Sequence, residues 1–252
     1  MDPKYVKILG VRVDSTSKER VLTSVGKKLE NKTKFSLFTP NPEIVLAAYG
    51  DSKLAGIINN CDFSIADGVG LKLAAPSLEI IHGRKLMLDL FGLANKKGLN
   101  VFFITSNLLN TKDKLLAKLK RQYPNIRAQA MVGPKVDLEA EPVSQVDRKI
   151  NSDIVSEINM FKPDLLFVCF GASKQEKWIA RHLPKLNVTG AIGIGGSLDY
   201  YAETKPTPPR LMEKLELEWL WRLFFDPTTN ISRVINAAVI FPFKVLIFGL
   251  RS

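Results

Sequence analysis

Five polar stretches in this chain each follow a short apolar run, and between them they hold most of the residue types that could do chemistry. FSLFT delivers Thr39, Asn41 and Glu43; FSIA delivers Asp67 and Gly68; NVFFIT delivers Ser106 and Asn107; LLFVCF delivers Gly171, Ser173 and Gln175; and AIGI delivers Gly195, Gly196, Ser197 and Asp199. A carboxylate such as Asp67, facing other polar groups at a strand tip, suits a general base whose proton affinity its surroundings adjust. Gly68 and Gly70 beside it let a substrate approach the backbone closely, although Asp-Gly is also a good plain turn. Pro40 and Pro42 fix the backbone around Asn41, which orients Thr39 and Asn41 at the tip; Asn41 serves equally as a helix cap. In GASKQEKW, Gly171 supplies the turn and Ser173 with Glu176 reads as a capping box, which leaves Gln175 to meet an anion or a nucleotide amide. The basic residues of that helix, Lys174, Lys177 and Arg181, add to the impression that something is held there.

Other chemistries find little footing. GIGGSLD matches a dinucleotide fingerprint only loosely, because Leu198 stands at the third glycine position and the stretch comes late in the chain. No phosphate-loop motif occurs. His82 and His182, the only two histidines, lie in separate segments, and no Asp-x-Asp pair is present, so metal clusters and histidine-based triads are not expected. Cys61 and Cys169 read as buried, inert thiols of a reducing compartment.

The elements that must position these residues follow from periodicity. YVKILGVRV, FSLFT, FSIA, NVFFIT, IRAQAMV, DLLFVCF and VTGAIGI read as strands, with helical patterns at about 16–30, 42–60, 84–97, 109–122, 147–161 and 173–185. Such alternation predicts an α/β fold, Rossmann-like, with a mostly parallel sheet and helices on both faces. The first β-rich unit is expected to pair antiparallel at an edge, and 134–146 to form a long surface loop. Ligands of such a sheet bind beyond the carboxyl ends of its strands, where the five polar tips converge. The chain divides into a core at 1–204 and a C-terminal helical appendage at 205–252 that begins at the proline-rich KPTPPR. Val234–Leu250, interrupted by Asn236, Pro242 and Lys244, is too short and broken to span a bilayer and reads as an interfacial, membrane-binding helix, with a core helix or an oligomer contact as the competing account. Arg222 lies on a broad apolar face of the preceding helix. The net charge of +11 calls for an anionic partner. No RNA or DNA motif accompanies it, so no nucleic acid is expected, and the amino terminus lacks the pattern of a signal peptide, so a cytoplasmic location is.

TPNPEIV, ADGVG, LLFVCFGASKQEKWI, GIGGSLDYYA and LEWLWRL, in this order over most of the chain, resemble the WecG/TagA/CpsF family of glycosyltransferases, and in particular its TagA-like N-acetylmannosaminyltransferases. The resemblance implies an inverting, metal-independent enzyme without cofactor. Such enzymes move N-acetylmannosamine or a related sugar from a UDP donor to a polyprenyl-diphosphate-linked N-acetylglucosamine in teichoic acid-type cell-envelope synthesis, at the inner face of the membrane. Asp67 would deprotonate the acceptor hydroxyl, with Thr39 and Asn41 positioning the sugars. Gln175 and Asp199 would hold UDP alongside the glycine turns at Gly68, Gly171, Gly195 and Gly196, and Arg222 would close over the diphosphate. Departures from the family pattern include Lys85, where an acid is usual, and a tail that keeps only Arg233 after DP, so phosphate binding by the tail would be weaker or split between Arg222 and Arg233. A silent UDP-sugar-binding scaffold of an envelope-synthesis complex is the alternative, and self-association is compatible with either.

Overall fold

A computed structural model describes residues 4–106, 110–209, 212, 221 and 235–248. Six parallel strands form the central sheet: β3 (Phe35–Phe38), β4 (Phe63–Ser64), β5 (Asn100–Thr105), β6 (Arg127–Val132), β7 (Leu165–Val168) and β8 (Gly190–Gly193), in spatial order β4-β3-β8-β7-β5-β6. The inner strands β7 and β8 are buried at every position, as expected of apolar runs covered on both faces, whereas the edge strand β6 alternates between exposed and half-buried residues. Ahead of the sheet, β1 (Tyr5–Ile8) and β2 (Val11–Asp14) pair antiparallel around Leu9 and Gly10, both at positive φ. The single run YVKILGVRV is thus a tight hairpin. It meets β4 through a bridge from Asp14 to Ile65 and through the Asp14 carboxylate, which accepts the Ser64 N–H.

Helices sort by the direction of each crossover. On one face lie α2 (Pro42–Tyr49), α3 (Ser52–Asn59), α6 (Gln145–Phe161) and α7 (Lys174–His182), packed on Phe38, Phe102, Ile104, Leu166, Val168 and Ala191. The opposite face carries α1 (Lys18–Glu30), α4 (Gly83–Lys97), α5 (Thr111–Gln122) and α8 (Ser197–Tyr201), packed on Leu37, Val101, Phe103, Leu165, Phe167 and Ile192. Connections running toward β4 use the first face and those running toward β6 the second, as a single hand of crossover requires. All six strands therefore end at one edge.

One expectation changes in detail and another is filled in. The helical pattern over 42–60 divides at Gly50, because Asp51 accepts the Leu54 N–H and caps a new helix. The segment 134–146 is the expected surface loop, running into the start of α6, and it is anchored: Val136 bridges to Pro142, Ala140 is fully buried, and the segment lies along α7.

In the described part of the tail, a π-helical turn at Asn236–Ile240 leads into α9 (Phe241–Phe248). The wider turn stands just ahead of Pro242, which has no N–H to offer the helix. Phe241 is fully buried in the core of the α2 face, Tyr49 lies 6.1 Å from the Phe248 ring, and the Lys244 ammonium sits 4.7 Å above Tyr49. The other side of the segment is apolar and open: Val239, Phe243, Leu246 and Ile247 are 61, 62, 85 and 55% exposed. No described helix is long and apolar enough to cross a membrane.

Candidate functional site

The tips of β4, β3, β8, β7 and β5 are consecutive across the sheet, so with neighbouring strands about 4.8 Å apart they span about 19 Å, room for an extended ligand. Asp67 follows β4. Its N–H donates to the Pro40 carbonyl and so ties the β4 tip to the turn after β3. The chain between Gly68 and Ile81 runs out through a 3-10 turn at Val69–Leu73 and returns where the Ile81 N–H donates to the Ala66 carbonyl. That return sets the start of α4 against the carboxylate. A methyl group at Gly83 would stand 3.1 Å from Asp67 Oδ2 and 3.1 Å from Thr39 Oγ1, so both oxygens converge over a position that only glycine leaves clear. His82 Nδ1 lies 3.6 Å from Asp67 Oδ1, with both side chains partly open to solvent. Asn41 caps α2 by accepting the Ile44 N–H at 2.9 Å, and Gly68 takes the positive φ of 89° that its turn needs.

At the β7 and β8 tips the glycines behave as turn residues: Gly171 and Gly195 have φ of 83° and 51°, and a side chain on either would meet nothing. Gln175 is buried. Its amide oxygen accepts the Gly195 N–H at 2.8 Å and its amide nitrogen donates to Glu176 at 3.0 Å. Its work is to pin the β8 turn to the start of α7, and both ends of the amide are engaged within the protein. Ser173 stands at the N-cap of α7, but its side chain does not cap the helix. It stands at φ 69° with no side-chain capping bond, which corrects the expected capping box. Glu176 is fully buried, and burial pushes its carboxyl up to about 7 against the lowering effect of the Gln175 amide and the backbone N–H groups of Glu176 and Ser173. Its Oε2 has no hydrogen-bond partner.

The basic residues of α7 hold protein. Lys174 donates to the Val136 carbonyl, Lys177 to the Leu138 carbonyl, and Arg181 to the carbonyls of Glu139 and Ala140. Lys177 also pairs with Asp51 and Glu139; burial alone would lower its pKa, but these two partners more than offset it and the ammonium is held above its ordinary range.

Asp199, buried at the start of α8, accepts from the Ser106 hydroxyl at the β5 tip, and Lys205 stands 3.6 Å away. Its backbone carbonyl accepts both the N–H and the hydroxyl of Thr204. Next to it, the Cys169 thiol donates to the Gly195 carbonyl, and burial raises its pKa, in keeping with an inert thiol. Gly196 lies close by, 3.7 Å from Asp199 Oδ2 at its Cβ position. The sheet thus presents a carboxylate and a hydroxyl at the β3–β4 tips and a second polar cluster at β5–β8, joined by the two glycine turns. A separate groove bordered by Lys34, Ile57, Asn60, Asp62 and Pro184 opens at the opposite edge of the sheet. Lys34 there is already bonded to the carbonyls of Leu183 and Pro184.

A family model described as the glycosyl transferase WecG/TagA/CpsF family matches residues 6–252. The chain belongs to that family. Its relatives include the N-acetylglucosaminyldiphosphoundecaprenol N-acetyl-beta-D-mannosaminyltransferases of Staphylococcus aureus strains NCTC 8325 / PS 47 and COL, each 32% identical over 230 residues that cover 88% of this chain and 85% of theirs. The protein of strain MRSA252 is 32% identical over 228 residues. As a member of this family the chain is a glycosyltransferase, built on the six-stranded parallel sheet described above.

Of the site residues expected from sequence, Thr39, Asn41, Asp67 and Gly68 form one group, and Gly171, Gln175, Gly195, Gly196 and Asp199 line the neighbouring tips. Arg222 and Arg233 lie outside the described residues. Sequence reasoning missed His82 and Gly83 at Asp67, and Lys205 at Asp199. Among the described residues no group of three or more histidine, cysteine, aspartate or glutamate side chains is arranged to hold a metal ion.

Proposed function

We propose that this glycosyltransferase moves N-acetylmannosamine from UDP to N-acetylglucosamine carried on a polyprenyl diphosphate, a step of teichoic acid-type synthesis; the transferred sugar and the N-acetylglucosaminyldiphosphoundecaprenol acceptor are those that its staphylococcal relatives' name gives for them. The observation that carries the mechanism is the convergence of Asp67 and Thr39 over Gly83 at the open edge of the sheet. Asp67 takes the proton of the acceptor hydroxyl, and Thr39 orients the reacting sugar beside it. The acceptor oxygen then forms the new bond at the anomeric carbon while the bond to UDP breaks, the electron pair leaving on the diphosphate and the anomeric configuration inverting. UDP lies along the glycine turns toward Asp199, with Gln175 acting indirectly through Gly195. Arg222 and Arg233 neutralise the diphosphate in place of a metal.

The acceptor is a lipid, which fits the open apolar face of Val239, Phe243, Leu246 and Ile247. With Phe241 inserted in the core domain, that face rests on an anionic bilayer surface, and the appendage of residues 205–252 presents the lipid head group to the tips of β3 and β4.

The test is acceptor-dependent release of UDP from UDP-N-acetylmannosamine by the full chain in EDTA, compared with Asp67→Asn. Turnover by the native protein and a loss of about a hundredfold or more in the variant is expected, the usual contribution of a general base. A variant as active as the native protein would remove Asp67 from the mechanism, and dependence on added metal would remove the metal-free step.

A further inference from the structure

We infer that Glu176 is a positioning residue for the donor: its carboxyl fixes the Gln175 amide, and that amide holds the glycine turn after β8. The role rests on reading this turn as the seat of UDP. Gln175 lies close against β8, where a methyl group at Gly193 would stand 3.0 Å from its amide nitrogen, and its amide oxygen accepts the Gly195 N–H at 2.8 Å. A backbone N–H can only donate, so the amide has one possible orientation, with its nitrogen toward Glu176 Oε1 at 3.0 Å. Oε1 must therefore accept. The proton of the neutral acid then sits on Oε2, which is buried and has no hydrogen-bond partner. Fully buried, Glu176 meets no substrate itself and acts through two successive hydrogen bonds on the turn.

The same burial makes the charge of Glu176 matter. A carboxylate there leaves Oε2 charged in the interior without a donor, and it sets a negative charge one amide away from the turn that receives an anionic diphosphate. Both effects oppose the donor, which therefore binds the neutral form. Burial already pushes the carboxyl up to about 7, and among the described residues no charged side chain contributes to that rise. Lys174, Lys177 and Arg181 of α7 turn to the 134–146 segment, Asp51 of α3 and Glu139 of that segment pair with Lys177, and β3 and β8 bring no charged residue. Of the groups nearby that could ionise near neutrality, His182 at the far end of α7 is lowered by its burial and Cys169 of the β7 tip is raised by its own. Asp51 and Glu139 are held below their ordinary values by Lys177. Loss of the neutral form around pH 7 cuts the binding-competent fraction about eightfold between pH 6.5 and pH 8.

The experiment measures equilibrium binding of UDP-N-acetylmannosamine to the full chain, without acceptor, at pH 6.5 and pH 8, for the native protein, Glu176→Gln and Glu176→Met, with thermal unfolding as a check of integrity. The diphosphate of this donor has no proton to lose in that range, so a change in affinity belongs to the protein. Native affinity is expected to fall about eightfold from pH 6.5 to pH 8. Glutamine keeps an acceptor for the Gln175 amide and cannot ionise, so Glu176→Gln binds within about threefold of the native protein at pH 6.5 and holds that affinity at pH 8. Methionine fills the space without accepting, so Glu176→Met binds about tenfold more weakly at both pH values. A native affinity that is the same at both pH values overturns the assignment, as does a glutamine variant that weakens with pH as the native protein does. A folded methionine variant that binds like the native protein at pH 6.5 also overturns it, since Glu176 would then serve stability alone. If the methionine variant does not fold, the glutamine comparison decides. Failure of the native protein to bind the donor at either pH would instead refute the reading of the turn as the seat of UDP, a result separate from any difference between the variants.

Discussion

Glu176 is the most demanding group to keep in this fold, and replacing it with glutamine makes a quantitative prediction. The side chain is fully buried, its Oε1 takes the Gln175 amide, and its Oε2 has no partner. Burial raises its pKa from an ordinary 4.5 to about 7. Between those two values the folded protein holds a proton that the unfolded chain has released. Stability therefore falls as pH rises from about 4.5 to about 7 and is level on either side. At about 1.4 kcal/mol for each tenfold change, the gap amounts to roughly 3 kcal/mol lost by pH 8. Glu176→Gln keeps the shape and the acceptor for Gln175 and removes the ionisation. Below pH 5 the two proteins should be nearly equal in stability, since a neutral acid and an amide leave comparable groups without partners; at pH 8 the variant should be more stable by roughly 3 kcal/mol. Urea unfolding of both proteins at half-unit steps from pH 4.5 to 8.5 measures the difference, in which every other titrating group cancels. A difference that does not change with pH, or a native protein that gains on the variant as pH rises, would refute the reasoning.

Gly83→Ala should lower stability by about 1 kcal/mol, because the added methyl group crowds a buried position at the first residue of α4, where the helix gains little from alanine. Its methyl group, 3.1 Å from Asp67 Oδ2 and Thr39 Oγ1, should lower kcat/KM at least tenfold; native activity would mean that the two oxygens do not act at that point. Lys177→Met removes the buried cation that joins Asp51 and Glu139 to α7, at a cost of about 1–2 kcal/mol since both acids still reach water. Trypsin should then cleave faster after Lys135, and an unchanged cleavage rate would show that the clasp does not hold the segment. Phe243→Ser with Leu246→Ser alters only exposed side chains of α9, so stability should hold while co-sedimentation with anionic vesicles falls on the order of a hundredfold; full retention on the vesicles would refute the bilayer contact.

Much of the architecture was legible because strands covered on both faces must be continuous apolar runs, as in LLFV of β7, and because helix starts carry local signals. Asn41 shows the limit of such signals: the residue is the cap that its type and position allow, and capping alone accounts for its observed hydrogen bond. The α7 cations point to a different limit. A basic helix reads the same whether its partners are phosphates or carbonyls, and here the partners are carbonyls some 40 residues earlier in the chain. His82 could not be placed from sequence, because its approach to Asp67 depends on the return of Ile81 to Ala66 after an irregular stretch. Likewise the break at Gly50 had its signal in Asp51, but the apolar period runs through it without interruption.

The contact of Tyr49 with Lys244 and Phe248 matters for anyone who would build chimeras in this family. Tyr49 ends α2, the helix that Asn41 begins beside the tip that carries Asp67. A carboxyl-terminal segment grafted onto this chain would replace Lys244 and Phe248, the two groups that Tyr49 meets. Exchange of tails should therefore carry α2 with it, the two segments forming one packing unit despite the distance between them in the sequence.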